Sequence, residues 1–260
     1  MLRKESQSGN GRKASIFCFY EVFMAKRFAI IDGRAEGIIA EPLRALGYNV
    51  LSLPPFDKLD VPVSAHPDML LWAHGRTVIT HREYYPLART VFDTLEEGGY
   101  EIILSEQEIS KRYPADVPLN CAVVGKFLIA NTGALSPLVE KVARESSLSV
   151  LHVNQGYAKC STFIVDESSV ITADTSIANA CLGAGLDVLK IREGNIRLDG
   201  YGYGFIGGAG GVDRSRMFFA GDPAYHPDGA SIIEFCKQRQ KEIVSLADTP
   251  LFDVGTIFFF

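Results

Sequence analysis

The sequence predicts an α/β protein, a closed five-bladed propeller of ββαβ repeats. Three observations predict it. Five segments share one pattern: Phe28–Leu53, Val78–Leu104, Leu128–Val153, Val170–Ile191 and Phe218–Leu246. Each opens with a short β-rich run, breaks at small or polar residues, continues as an amphipathic stretch and ends in a second β-rich run. Their starts lie roughly 42 to 50 residues apart, a spacing that marks a repeat architecture. A further β-rich run precedes each copy after the first. A last run, Thr256–Phe260 (TIFFF), closes the chain with no following copy to pair with.

Within each copy the stretch between the two β-rich runs reads as a helix lying on a sheet. Leu138 and Val142, with Val139 and Ala143, recur at helical spacing. Ser136-Pro137 supplies a cap and a proline at the first helical position, and Glu41-Pro42 and Tyr85-Pro86 place helix starts in the same way. Ser176 and Asp228 are further cap candidates. Gly47, Gly98-Gly99 and Gly185 read as helix stops, where a left-handed residue is needed.

The strands between copies are Met69–Ala73, Cys121–Val124, Thr162–Val165 and Gly210–Val212. Each leads into the next copy through a few residues: His74-Gly75-Arg76, Gly125-Lys126, Asp166–Ser169 and Asp213–Arg216. Such short links force antiparallel hairpins and exclude an all-parallel sheet, which needs a crossover at every step. Phe28–Asp32 is then the one opening strand without a hairpin mate. Pairing it with Thr256–Phe260 closes the ring and covers a sticky edge.

Composition bounds the function classes. The chain has 260 residues, 47% apolar content and a formal net charge of −5. That suffices for one sizeable core. It offers no basic excess for nucleic acid or an anionic membrane surface, and no apolar run approaches the roughly 18 residues that span a bilayer. The five cysteines, Cys18, Cys121, Cys160, Cys181 and Cys236, are scattered, without a CxxC pair or a zinc spacing. They read as reduced thiols of a cytoplasmic protein, with Cys121, Cys181 and Cys236 at core positions. Residues 1–26 differ from the rest: a polar, basic start precedes an apolar stretch, Ala14 to Ala25, that carries Glu21 and no small-residue cleavage pattern. They read as a flexible extension ahead of a single domain over 27–260, with Met24 opening the segment MAKRFAIIDGR.

This repeat organisation over residues 28–260 resembles the pentein fold of the guanidine-modifying enzymes, a group that includes arginine deiminases, agmatine deiminases and dimethylarginine dimethylaminohydrolases. The stretches HPDMLLW, KCSTFIVDESSVITAD and GFIGGAGG are similar to an uncharacterised bacterial family assigned to that fold.

In a closed propeller, the loops entering the inner strands converge at one end of the channel. Here they are 61–68, 113–120, 156–161, 199–208 and 248–255. The polar residues just before the strands are His66, Asp68, Asn120, Cys160, Ser161 and Asp253. The resemblance implies a role for such a set: a thiolate attacks the planar guanidinium carbon, a histidine moves the proton of the leaving amine, and carboxylates hold the cation by paired hydrogen bonds. On that reading Cys160 is the nucleophile, His66 the general acid/base, and Asp68 and Asp253 the guanidinium clamps. Asn120, Ser161, Tyr203, Gly207 and Gly208 complete the substrate-binding set. No cofactor and no metal is implied, and the partner is a small molecule. The chain departs from the group in one respect. There the histidine lies in a middle blade and the cysteine near the C-terminus, whereas here the last blade carries Asp253-Val254-Gly255 and the middle blade carries Cys160.

Other signals have plainer readings. Gly202, Gly204 and Gly207 match GxGxxG, but a dinucleotide loop joins a strand to a helix, and the following sequence reads as a hairpin. The glycines there permit close backbone approach, with room for a ligand and Tyr201 and Tyr203 beside it. His66-Pro67-Asp68 also fits a turn, and the same triplet at His226–Asp228 starts a helix. His74 and His81 read as solvent-facing, and Cys160 also fits a core position. The alternatives to a cysteine-dependent hydrolase or amidinotransferase are therefore a catalytically inactive propeller that binds a ligand or protein and, more remotely, a Rossmann-type oxidoreductase.

Overall fold

The computed structural model describes residues 27–260. The expected extension over 1–26, and with it Cys18, lies outside the described residues. Five opening strands, β1 (Phe28–Asp32), β4 (Thr77–His81), β7 (Phe127–Ala130), β10 (Ser169–Thr172) and β13 (Arg216–Phe219), are each the centre of a three-stranded sheet. Each leads through a helix to a parallel outer strand: β2 (Asn49–Leu53), β5 (Glu101–Ser105), β8 (Ser149–His152), β11 (Asp187–Lys190) and β14 (Glu242–Ser245). The other edge of four sheets is an antiparallel hairpin strand: β3 (Leu71–His74), β6 (Ala122–Val124), β9 (Phe163–Asp166) and β12 (Gly210–Asp213).

The fifth edge is the closing strand. β15 (Phe258–Phe259) pairs antiparallel with β1 in the register Ala29↔Phe259 and Ile30↔Phe258. Two backbone bonds between Phe28 and Phe260, at 2.9 and 3.0 Å, extend the pairing. Aromatic contacts seal the seam. Phe259 lies 4.7 Å from Phe218 and 5.0 Å from Tyr48, and Phe260 lies 5.0 Å from Tyr100. The closing strand is shorter than the predicted Thr256–Phe260 because Thr256 has a left-handed backbone, φ 71°, which takes it out of the ladder.

The crossover helices are α1 (Glu36–Ala45), α3 (Arg89–Glu97), α4 (Pro137–Glu145), α6 (Thr175–Gly183) and α7 (Gly229–Gln238). Two single turns, α2 (Pro67–Leu70) and α5 (Ala158–Ser161), lead into β3 and β9. The opening strands are almost wholly buried because helices cover one face and neighbouring sheets the other. Each fully buried Ile, Leu or Phe contributes about 1.5–3 kcal/mol. Gly47, Gly99 and Gly185 end their helices with φ of 87°, 85° and 82°.

Five local expectations change. Pro42 sits inside α1, since the Asp32 carboxylate accepts from the Arg34 N–H (2.8 Å) and starts a 3-10 turn that feeds the helix at Glu36. The carbonyl left without a donor belongs to Ile38, an exposed residue. After Tyr85-Pro86 the chain makes turns, and α3 begins at Arg89. Asp174, not Ser176, caps α6 by accepting from Ile177 N–H at 2.8 Å. Met69 and Leu70 belong to α2 rather than to the strand, because Pro67 opens a helical turn there. His81, expected in solvent, is 1% exposed. At the end of β4 its ring lies with Nε2 3.2 Å from the Met69 carbonyl of α2, and burial pushes its pKa down to about 4. Cys121, Cys181 and Cys236 are buried free thiols. Among the described residues, no helix is long and apolar enough to cross a membrane.

Candidate active site

The residues before the inner strands do converge. A cavity of about 240 Å³ is lined by Cys160, His66 and Asp253, by Val63 and Leu198, and by the rings of Tyr157, Tyr201, Tyr203 and Phe205. Cys160 comes from α5, His66 from the residue before α2, and Asp253 from the segment before the closing strand. The aromatic wall is continuous: Phe205 lies 6.0 Å from Tyr157 and 6.1 Å from Tyr203. The Tyr157 hydroxyl donates to Asp116 (2.5 Å) and the Tyr201 hydroxyl to Asp60 (3.1 Å), which braces two of the rings with carboxylates.

His66 holds an extended backbone while Pro67 starts the following turn. Its ring lies between two carboxylates: Nδ1 is 3.8 Å from Asp253 Oδ1, and Nε2 is 3.8 Å from Asp32 Oδ2. Nδ1 has no hydrogen-bond partner. Burial pushes the imidazole pKa down, and Asp253 and Asp32 oppose that shift. Gly255 packs against this ring. A Cβ there would sit 2.1 Å from His66 Cβ, and its φ of 65° also favours glycine.

Asp253 accepts from Phe205 N–H (2.8 Å) and Gly255 N–H (2.9 Å). Burial raises its pKa, with His66 opposing. Gly208 makes room for this carboxylate, since a Cβ there would meet Asp253 Oδ1 at 2.0 Å. Gly207 is pressed in the same way against the carbonyls of Lys159 and Thr162. The space at the two glycines is therefore filled by the protein itself, and the Gly208 N–H is used by Phe205 O. The glycine run leads into the β12–β13 hairpin, not into a helix.

Asp68, Asn120 and Ser161 do not line the cavity. Asp68 and Asn120 lie behind the thiol. Cys160 Sγ donates to Asp68 Oδ2 at 3.1 Å, and Asn120 Nδ2 donates to Cys160 Sγ at 3.1 Å. Asn120 Oδ1 receives the backbone N–H groups of Lys159 (2.8 Å) and Cys160 (3.2 Å), which fixes the single turn α5. Ser161 faces a neighbouring pocket beside Asp174. Cys160 is 3% exposed. Burial and then the Asp68 and Asp253 carboxylates push its pKa well up, which favours the neutral thiol.

Three polar residues escaped the sequence reading. Asp32 ends β1 and faces His66. Lys159 and Thr256 are buried behind Asp68. Lysine is a surface residue by default, so no sequence signal separates Lys159 from a solvated one. Asp32 follows an apolar run and precedes glycine, which reads as a turn. Among the described residues, no group of three or more His, Cys, Asp or Glu is arranged to hold a metal ion.

Solved structures share this fold. A dimethylarginine dimethylaminohydrolase superposes with a TM-score of 0.55 at 12% identity, covering 86% of this chain and 93% of the other. An amidinotransferase of the saxitoxin biosynthetic pathway from Microseira wollei gives 0.53 at 12% identity, with 86% and 89% coverage. The inosamine-phosphate amidinotransferase of Streptomyces griseus gives 0.51 at 12% identity, with 87% and 86% coverage. These likenesses show that the chain shares its fold with these proteins. No curated protein matches it in sequence. The profile of one protein family, described as "Family of unknown function (DUF6873)", matches residues 30–258, and the chain belongs to that family.

Proposed function

We propose that the protein is a cysteine-dependent enzyme acting on a C–N bond of a small guanidino or amidino compound, as a hydrolase or an amidinotransferase. The observation that carries this reading is the single cavity that joins Cys160, His66 and Asp253. The described lining holds one carboxylate, four aromatic rings and no Lys or Arg. A planar cation suits such a surface, with Asp253 as its charged partner and the rings offering cation–π contact. The similar structures include a dimethylarginine dimethylaminohydrolase and an amidinotransferase, which agrees with this chemistry.

In the reaction the Cys160 thiolate adds to the central carbon, and the C–N bond to the leaving amine breaks. His66 enters this step as the imidazolium, favoured by the Asp253 and Asp32 carboxylates on either side of its ring, and gives its proton to the departing amine. Water, or an acceptor amine in a transferase, then releases the carbon from sulfur and returns the proton to His66. A bound cation also lowers the cost of ionising the buried thiol, because it places a positive charge beside a lining that carries no Lys or Arg.

One observation favours a second reading, a binding protein that uses the same cavity without turnover: the thiol is almost fully covered and its pKa is raised. A panel of guanidino and amidino compounds separates the two. The enzyme reading expects release of ammonia, urea or amine from at least one member, lost in Cys160→Ser. Binding by calorimetry with no turnover of any member supports the second reading and ends the first.

A further inference from the structure

A buried polar chain runs behind the thiol, and the proposed chemistry above does not use it. Lys159 Nζ donates to Thr256 Oγ1 at 2.9 Å. Thr256 Oγ1 lies 2.8 Å from Asp68 Oδ2 and 2.8 Å from the Gly207 carbonyl oxygen. Asp68 Oδ2 receives the Cys160 thiol at 3.1 Å. Lys159, Thr256 and Asp68 are all nine-tenths buried or more. Two features show that the chain is constructed rather than incidental. A lysine ammonium is costly to bury unless it answers a charge. Thr256 is a β-branched residue held at φ 71°, a strained conformation that places its hydroxyl between the lysine and the carboxylate.

We infer that Lys159, acting through Thr256, is a positioning residue that keeps Asp68 ionised as the acceptor of the Cys160 thiol proton. The step balances within the group. The S–H bond breaks, its electron pair stays on sulfur, and the proton forms an O–H bond on Asp68. Before transfer the ammonium offsets a carboxylate, and afterwards it offsets a thiolate. The net charge does not change. This assigns proton removal from sulfur to Asp68 and leaves His66, on the cavity side, for the leaving group. The inference rests on Cys160 being the nucleophile.

Charged and titratable groups face this chain from every side. Asp32 and Lys159 act on Asp68. Asp68, Asp253 and Tyr157 act on Cys160. Asp68, Cys160 and Asp253 act on Lys159. Burial pushes Asp68 up and Lys159 down, each toward neutrality, and each opposes the shift of the other. Removal of the lysine therefore leaves Asp68 to be neutralised by a proton and deprives the thiolate of its counter-charge.

The test needs no substrate. The rate of Cys160 alkylation by iodoacetamide is followed from pH 5 to 10 by peptide-resolved mass spectrometry in the wild type, Lys159→Met, Thr256→Val and Thr256→Ser. Lys159→Met is expected to move the midpoint up by about one pH unit or more, so that the rate at pH 7 falls about tenfold. Thr256→Val shifts it in the same direction, and Thr256→Ser restores the wild-type profile. An unchanged midpoint in folded Lys159→Met overturns the inference. If Lys159→Met does not fold, Thr256→Val decides alone, and an unmoved midpoint there overturns it equally. A shifted midpoint with no turnover of any guanidino compound preserves the chain and removes the enzyme reading. Turnover with an insensitive midpoint does the reverse.

Discussion

The triplet His-Pro-Asp occurs twice, at His66–Asp68 and His226–Asp228, and the two copies meet different surroundings. Both histidines hold an extended backbone ahead of a helix, but in different frames: His66 is the N-cap and Pro67 the first residue of α2, whereas Asp228 is the N-cap of α7, which begins at Gly229. Both histidines are buried and have lowered pKa values. The second copy is tied up on one side of its ring, while His226 Nε2 has no hydrogen-bond partner. His226 Nδ1 accepts from Asp228 N–H at 3.0 Å, and the Asp228 carboxylate takes Arg192 at 2.6 Å at the surface. The first copy is open. His66 Nδ1 has no partner and stands between two carboxylates, and Asp68 is turned to a thiol. Local sequence sets the backbone in both. The loops that arrive from elsewhere in the fold decide whether the side chains are tied to their own segment or gathered at the cavity.

The largest expected difference between the copies is in activity. On the compound that the wild type turns over, His66→Ala is expected to lose about 100-fold to 10,000-fold in kcat/KM, while His226→Ala keeps the wild-type value. Equal losses would remove the distinction. The support for His66 comes next. Gly255→Ala introduces a Cβ 2.1 Å from His66 Cβ at a φ of 65°. It is expected to lower stability by about 1–3 kcal/mol and to reduce activity with it, read by thermal unfolding and kinetics together.

A pH titration of stability sharpens the comparison further. A histidine whose folded pKa lies below its unfolded value binds its proton more readily in the unfolded chain, so stability falls as pH drops below about 6.5. His66, His226 and His81 all act in this direction, and for His81 the fall continues to about pH 4. Unfolding measured at pH 7 and pH 5 should show a drop that shrinks in His66→Gln and shrinks less in His226→Gln, because His66 is the more completely enclosed. The smallest effect belongs to the surface pair. Asp228→Asn is expected to move the thermal unfolding midpoint least of these variants, as the Arg192 side chain is largely solvent-exposed and such pairs contribute little. Arg192 and its hydrogen bonds hold the Asp228 pKa below its ordinary value. That contribution is present above pH 4 and is lost as pH falls through the folded pKa.

Much of the architecture was legible in the sequence because it follows from periodicity. Repeated runs, hairpin-length links and an unmatched C-terminal strand lead to five sheets and to the β1–β15 seam. The site was legible in part. Cys160, His66, Asp253 and Tyr203 lie where short links to the inner strands must converge, and they line one cavity. What escaped was set by distant contacts. Asp68 and Asn120 precede their strands like the others, but they are turned behind the thiol. Gly207 and Gly208 are small because protein atoms, not a ligand, fill the space beside them. His81 is buried by the turn of α2 across its ring, which no local pattern records. Thr256 sits in an apolar run that reads as strand throughout, and only its contacts with Lys159 and Asp68 explain why it leaves the ladder.

The central claim is that Cys160 is a nucleophile in a cavity made for a planar cation. It is tested most directly by comparing 2-chloroacetamidine with its neutral counterpart, 2-chloroacetamide, as alkylating agents of Cys160. The amidinium reagent is expected to label Cys160 about 10-fold to 100-fold faster, relative to the ratio for a free thiol, as one charged hydrogen-bonded contact warrants, and Asp253→Asn should abolish the preference. Equal relative rates for the two reagents in the wild type, or a preference that survives Asp253→Asn, would contradict it.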